Sequence, residues 1–149
     1  MYKSKIMTTI FIFMMSACTS TDFKSNLPVQ YRDNIEDLVV TERVLGYGKE
    51  AVVNSRVSVH YTGWLYEPVM PDKKGRKFDS SYDRGVPFVF TLGKREVIAG
   101  WEKGMKGMRT GGQRSFIIPA DMAYGARGAG QLIPPNSTLI FDVELLQVN

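Results

Sequence analysis

The 149 residues predict an α+β fold, an antiparallel β-sheet wrapped on one short amphipathic helix. Two observations carry this. Apolar and polar residues alternate with a period of two in several separate stretches, so each strand has one buried face, as antiparallel sheets allow. Only one stretch changes to a helical period, and it is not part of a strand–helix–strand series of the kind a parallel sheet requires.

The elements follow in order. Asp37–Leu45 is rich in β-branched residues and predicts the first strand. Arg56–Leu65 alternates Val57, Val59 and Tyr61 against Ser58, His60 and Thr62, which predicts the second. Tyr66–Arg76 holds Pro68, Pro71, Asp72 and Gly75, the chemistry of a loop. Lys77–Asp79 is a short extended candidate, and Pro87–Leu92 places Phe88, Phe90 and Leu92 on one face before Gly93 breaks the strand. From Lys94 to Met105 the period becomes helical, with Val97, Trp101, Met105 and Met108 on one side and Glu102, Lys103 and Lys106 elsewhere on the cylinder. Gly111-Gly112 turns the chain into Gln113–Ile118, and Leu139, Phe141, Val143 and Leu145 form the last alternating face.

A chain of this length, 44% hydrophobic and 23% charged, suits one globular domain with a real core. That domain is expected over residues 35–149, preceded by a polar, unpatterned tether over 18–34. Ahead of the tether, Lys3 and Lys5, the run IMTTIFIFMM and Ser16-Ala17 form the charged, apolar and small-residue regions of a secretory signal over 1–17. The apolar run is shorter than the roughly 20 residues of a spanning helix, which favours export with cleavage. Cys18 is the only cysteine, so no intramolecular disulfide forms. A buried small hydrophobe and an ordinary cleavage site are two readings of it. Its place after Met15-Ser16-Ala17 resembles a bacterial lipobox, in which the cysteine is lipidated, although Met15 stands where leucine is usual. Lipidation of Cys18 is the expectation carried forward. The net charge of +4 counts Lys3 and Lys5; with those two removed from 19 basic residues against 15 acidic ones it is +2. No basic cluster is interleaved with aromatics, so no nucleic-acid surface is expected.

The residues exclude several chemistries. His60 is the sole histidine, which argues against a metal site, and no GxSxG elbow or cysteine nucleophile accompanies it. It reads as an exposed or edge histidine. The glycines of Gly46-Tyr47-Gly48 and of Gly104, Gly107, Gly111 and Gly112 lack phosphate-loop spacing and read as turns, and no cofactor is expected. Among the carboxylates, Asp121 lies in a turn and Asp83 reads as a solvated or paired loop charge, while Asp79 follows Phe78 near an aromatic group. Tyr61, Phe78, Phe88, Phe90, Trp101, Tyr124 and Phe141 all fall where they could face one interior. Spacing leaves open whether that interior is core or pocket.

The segments VHYTGWL, KFDSSYDRGVPFVFTLGKREVIAGWEKGMKGMRTGGQR and AYGARGAGQLIPPNSTLIFDVELL together resemble the FKBP-type peptidyl-prolyl cis/trans isomerases, the macrolide-binding immunophilins, from about Ile35 to the C-terminus. The resemblance implies a twisted antiparallel sheet curling around one helix, with an apolar cup between them. It implies that Trp101 forms the floor under a proline ring, that Tyr61, Phe88 and Phe141 supply walls, and that the Ile98 N–H and Tyr124 hydroxyl grip carbonyls of the bound chain. Asp79 would pair with Arg84 and orient the rim. Phe78, Val97, Leu132 and Ile133 complete the implied substrate contacts.

The implied activity is Xaa-Pro isomerisation in exported or envelope proteins, with proline-containing polypeptides as partners and macrolides as inhibitors. The expected address is the bacterial cell envelope, held by the lipid anchor on its periplasmic or surface side. The alternatives are a proline-directed binding module and a structural envelope lipoprotein with little catalysis. Two departures stand out. Ala126–Leu132 reads ARGAGQL, without the His-Pro pair of some members, and Tyr66–Arg76 is longer than in the minimal domain. No long N-terminal helix of the dimerising kind is seen, so a monomer is expected.

Overall fold

The structure is a computed structural model, and it describes residues 35–149. The expected signal segment over 1–17, Cys18 and the expected tether over 18–34 lie outside the described residues.

Six strands form one antiparallel sheet: β1 (Val39–Val44), β2 (Arg56–Tyr66), β3 (Lys74–Ser80), β4 (Phe88–Thr91), β5 (Gln113–Ile118) and β6 (Leu139–Val148). The order is β1-β5-β6-β2-β3, with β4 also pairing β2. β2 therefore changes partner along one edge. Its first half pairs with β4, ending at Val59 opposite Phe88, and its second half pairs with β3, starting at Thr62 opposite Ser80.

One face of the sheet curls around helix α2, Ala99–Met105. Val57 and Val59 of β2, Phe116 and Ile118 of β5, Leu139 and Leu145 of β6, and Met105 of α2 are all fully buried between them. The helix lies against β5 because Gly100 and Gly104 present no side chain to it. A Cβ on Gly100 would stand 2.4 Å from Ile118 Cγ2, and one on Gly104 would stand 2.9 Å from Phe116 Cε1. Glycine lowers intrinsic helix propensity by about 1 kcal/mol relative to alanine, so its use twice in one short helix reflects this close approach.

Three elements differ from expectation. The helix begins at Ala99, not Lys94. Gly93 and Arg95 have φ of 86° and 59°, outside the helical region. Glu102 accepts the Gly93 and Arg95 N–H groups at 2.6 and 3.0 Å, which stabilises a turn in place of a helical start. β3 begins at Lys74, inside the segment assigned to a loop, because Tyr66 pairs with Lys74 and bonds from Glu67 N–H to Lys73 O and from Lys73 N–H to Met70 O tighten the turn before it. Finally, α2 is not the sole helix: Ser81–Arg84 forms a single turn, α1, closed by Gly85 at φ 68°. The left-handed residue after a helix is a common stop, and glycine adopts it without a Cβ clash.

Candidate active site

Where α2 meets the open end of the curled sheet, a cavity of about 360 Å³ remains. β2 supplies Tyr61, β3 supplies Phe78 and Asp79, β4 supplies Phe88 and β6 supplies Phe141. The turn before α2 adds Glu96, Val97 and Ile98, the helix adds Trp101, and the 3-10 turns around residues 120–127 present Tyr124.

The rings pack edge to face. Trp101 lies 5.1 Å from Tyr61 and 5.4 Å from Phe141, both at interplanar angles of 89°, and Phe78 meets Phe141 at 5.5 Å and 85°. This geometry places the positive edge of one ring on the negative face of the next. Trp101 is only 4% exposed, so it forms the cavity floor. Gly63, on the same strand as Tyr61, makes room for two of the rings: a Cβ there would stand 2.7 Å from both Phe141 Cε1 and Phe78 Cζ.

Polar groups occupy the rim. The Tyr61 hydroxyl donates to Asp79 Oδ2, and Arg84 donates through Nη1 to Asp79 Oδ1 and through Nη2 to the Tyr61 hydroxyl at 3.0 Å. Both carboxylate oxygens are thus engaged. The Arg84 guanidinium also lies 5.6 Å from the Tyr61 ring centroid, within cation–π range. Burial pushes the Tyr61 phenol above its ordinary range, its bond to Asp79 adds to this, and Arg84 partly opposes it. The half-exposed Tyr124 phenol is also pushed up, first by burial and then by the charge of Asp79. Both phenols therefore remain proton donors at neutral pH. Ile98 lines the cavity; its carbonyl accepts the Trp101 and Glu102 N–H groups at 3.0 and 3.2 Å, while its own N–H bonds to no described residue.

Of the residues singled out in the sequence, Tyr61, Phe78, Asp79, Phe88, Val97, Ile98, Trp101, Tyr124 and Phe141 come together at this cavity. Leu132 and Ile133 do not line it. Ile133 is buried in the core and bridges to Ala129, and Leu132 is exposed on the flanking loop, its carbonyl held by Arg76 Nη2 at 2.5 Å. Glu96, which has no role in the sequence reading, also lines the cavity beside Val97, and its carboxylate accepts the Thr91 N–H at 2.8 Å. Asp83 pairs with Lys77 at 2.6 Å. His60 is half-buried on the opposite face of β2, its ring stacked on Tyr82 at 4.4 Å and its Nδ1 2.9 Å from the hydroxyl of Ser81, a fully buried residue. Among the described residues, no three His, Cys, Asp or Glu side chains gather as a metal site would require.

The arrangement has no nucleophile and no free base in its apolar interior. It can desolvate a neutral group and hold it between aromatic rings. A profile described as FKBP-type peptidyl-prolyl cis-trans isomerase matches residues 48–146. The chain belongs to that family. Its members are peptidyl-prolyl cis-trans isomerases, and the cavity sits within the matched span.

The chain is 52% identical over 111 residues to the FK506-binding protein of Neisseria meningitidis serogroup A, covering 74% of this chain and 95% of that one. The crystal structure of AtFKBP13 has 41% identity and a TM-score of 0.65, over 75% of this chain and 93% of that one. FkpA from Escherichia coli has 42% identity and the same TM-score, over 75% of this chain and 48% of its own. The antiparallel sheet around one short α2 is the FKBP fold.

Proposed function

We propose that the cavity binds Xaa-Pro segments of exported or envelope polypeptides and accelerates their cis/trans isomerisation without a covalent intermediate. The observation that carries this is the buried Trp101 floor, walled by Tyr61, Phe88 and Phe141, with Ile98 and Tyr124 also lining the cavity. Rotation about a peptide bond faces a barrier of ~18–20 kcal/mol because twisting removes amide resonance. No bond is broken, so no nucleophile is needed. The twisted amide has a less charged carbonyl oxygen than the planar one, and withdrawing water favours it. Ile98 N–H and Tyr124 hold neighbouring carbonyls while the proline ring turns on Trp101.

The relatives' name, FK506-binding protein, supports the same cavity as the site of a competing macrolide. The sequence pattern of residues 1–18 supports export and anchoring through lipidated Cys18, with the isomerase acting as a monomer on the periplasmic or surface side of the envelope. Uncatalysed proline isomerisation takes tens of seconds or longer, so chains folding after export gain from such an enzyme.

Exchange NMR on a Leu-Pro peptide tests the activity. Micromolar protein should broaden and merge the cis and trans resonances, and a macrolide of the FK506 type should reverse this. A peptide whose exchange rate does not change would sink the proposal. Membrane fractionation tests the anchor, since Cys18→Ser should move the protein to the soluble fraction.

A further inference from the structure

Between Val59 and Thr62, where β2 leaves β4 and has not yet met β3, His60 and Tyr61 face no strand on that edge. Ser81, the fully buried first residue of α1, fills the gap. Its hydroxyl accepts the Tyr61 N–H at 2.8 Å, lies 3.3 Å from the Tyr61 carbonyl and 2.9 Å from His60 Nδ1. A hydroxyl has one proton to give. With Nδ1 protonated, His60 donates to Ser81 and the hydroxyl donates to the Tyr61 carbonyl, so all three groups are satisfied. With Nδ1 bare, the ring takes the hydroxyl proton instead. In both tautomers the imidazole decides how Ser81 is turned.

The next residue, Tyr82, is clamped on the same side. Its ring stacks on His60 at an interplanar angle of 20°, and its hydroxyl donates at 2.8 Å to Glu144, the residue that pairs with His60 across β2 and β6. Burial and then the bond to Glu144 push this phenol up to about 12, which keeps it a donor. α1 has four residues, fewer than a helix needs to persist by itself. Two positions beyond Tyr82, the same turn sends Arg84 back over the cup to Asp79 and the Tyr61 hydroxyl.

We propose that His60 and Tyr82 are positioning residues of the isomerase: from the reverse face of the sheet they fix α1, and through it the Arg84–Asp79–Tyr61 set at the cup rim. They touch nothing in the cavity. This rests on the isomerase reading above.

A double-mutant cycle on the full chain tests it. His60→Ala and Tyr82→Ala should each lower kcat/KM for a Leu-Pro peptide by about fivefold, the size expected of residues acting through one network, and by almost nothing more when Arg84→Ala is already present. His60→Asn, whose amide can still reach Ser81, should recover part of the loss. Losses that multiply fully in the Arg84→Ala background, or no loss at all, would overturn the inference. The Arg84 Nε–H resonance separates this failure from failure of the isomerase reading. It should shift in His60→Asn and in Tyr82→Phe, which keep side chains of similar size, even if the wild type showed no activity; an unmoved resonance would overturn the clamp by itself.

Discussion

Asp79 is the residue at which the rim's electrostatics converge, because it accepts from both Tyr61 and Arg84. Tyr61→Phe keeps the ring contacts to Trp101 and Phe88 and removes one donor. A hydrogen bond to a charged group contributes about 1.5–3 kcal/mol, and with Asp79 partly solvated the expected loss of stability is about 1 kcal/mol. Urea unfolding should show that loss, and kcat/KM should fall with it as the rim loosens. The phenols also fix a pH dependence. Tyr61, Tyr82 and Tyr124 all hold their protons above the ordinary tyrosine value of 10 in the folded chain. Above that pH the folded state binds more protons than the unfolded one, so stability is fully present below pH 10 and falls as pH rises through the folded values. The urea midpoint should be lower at pH 11 than at pH 9, with a smaller drop in Tyr82→Phe, whose strongest shifted phenol is gone.

At the scale of elements, the close seat of α2 on β5 depends on Gly100. Gly100→Ala gains helix propensity, yet its methyl would meet Ile118 Cγ2 at 2.4 Å and Cδ1 at 2.7 Å. Overpacking costs roughly 1–3 kcal/mol, which exceeds the propensity gain. The variant should unfold at lower urea, and displacement of the neighbouring Trp101 should weaken peptide binding. The cost of this packing explains what the sequence made legible. Val57, Val59, Phe116, Ile118 and Leu139, Phe141, Val143 and Leu145 of β6 recur at every second position because one face is buried, so their strands were readable. The start of α2 was not: Val97 shares a helical period with Trp101, but Glu102's bonds to Gly93 and Arg95 override it from a distance no periodicity encodes. α1 is shorter than any repeat. The cup itself, drawn from strands, α2, the turn before it and the 3-10 turn at Tyr124, has no single periodicity, so its residues were named through the family resemblance. Leu132 and Ile133 stand off the cavity lining because their loop is shaped by the Ala129–Ile133 bridge and by Arg76.

The whole molecule is closed by its last strand. β6 lies between β5 and β2, and its pairs run from Leu65 with Leu139 to Val57 with Val148, so the centre of the sheet joins residues far apart in sequence. Such pairing carries a loop-closure cost before it is rewarded, which predicts folding in milliseconds to seconds. Ending the chain after Thr138 should therefore leave no cooperative transition, since β5 and β2 would each lose their shared partner. The converse holds at the other end. Among the described residues, those packed into or against the core fall between Leu38 and Val148, and every cavity residue lies within that span. Residues 35–149 produced alone should unfold in one transition and match the full chain in kcat/KM on a soluble Leu-Pro peptide, while lacking the membrane association proposed to come from Cys18. Peptide exchange and sedimentation with vesicles would measure the two properties separately. A fragment that folds but loses activity would mean that residues 1–34 contribute to the cup.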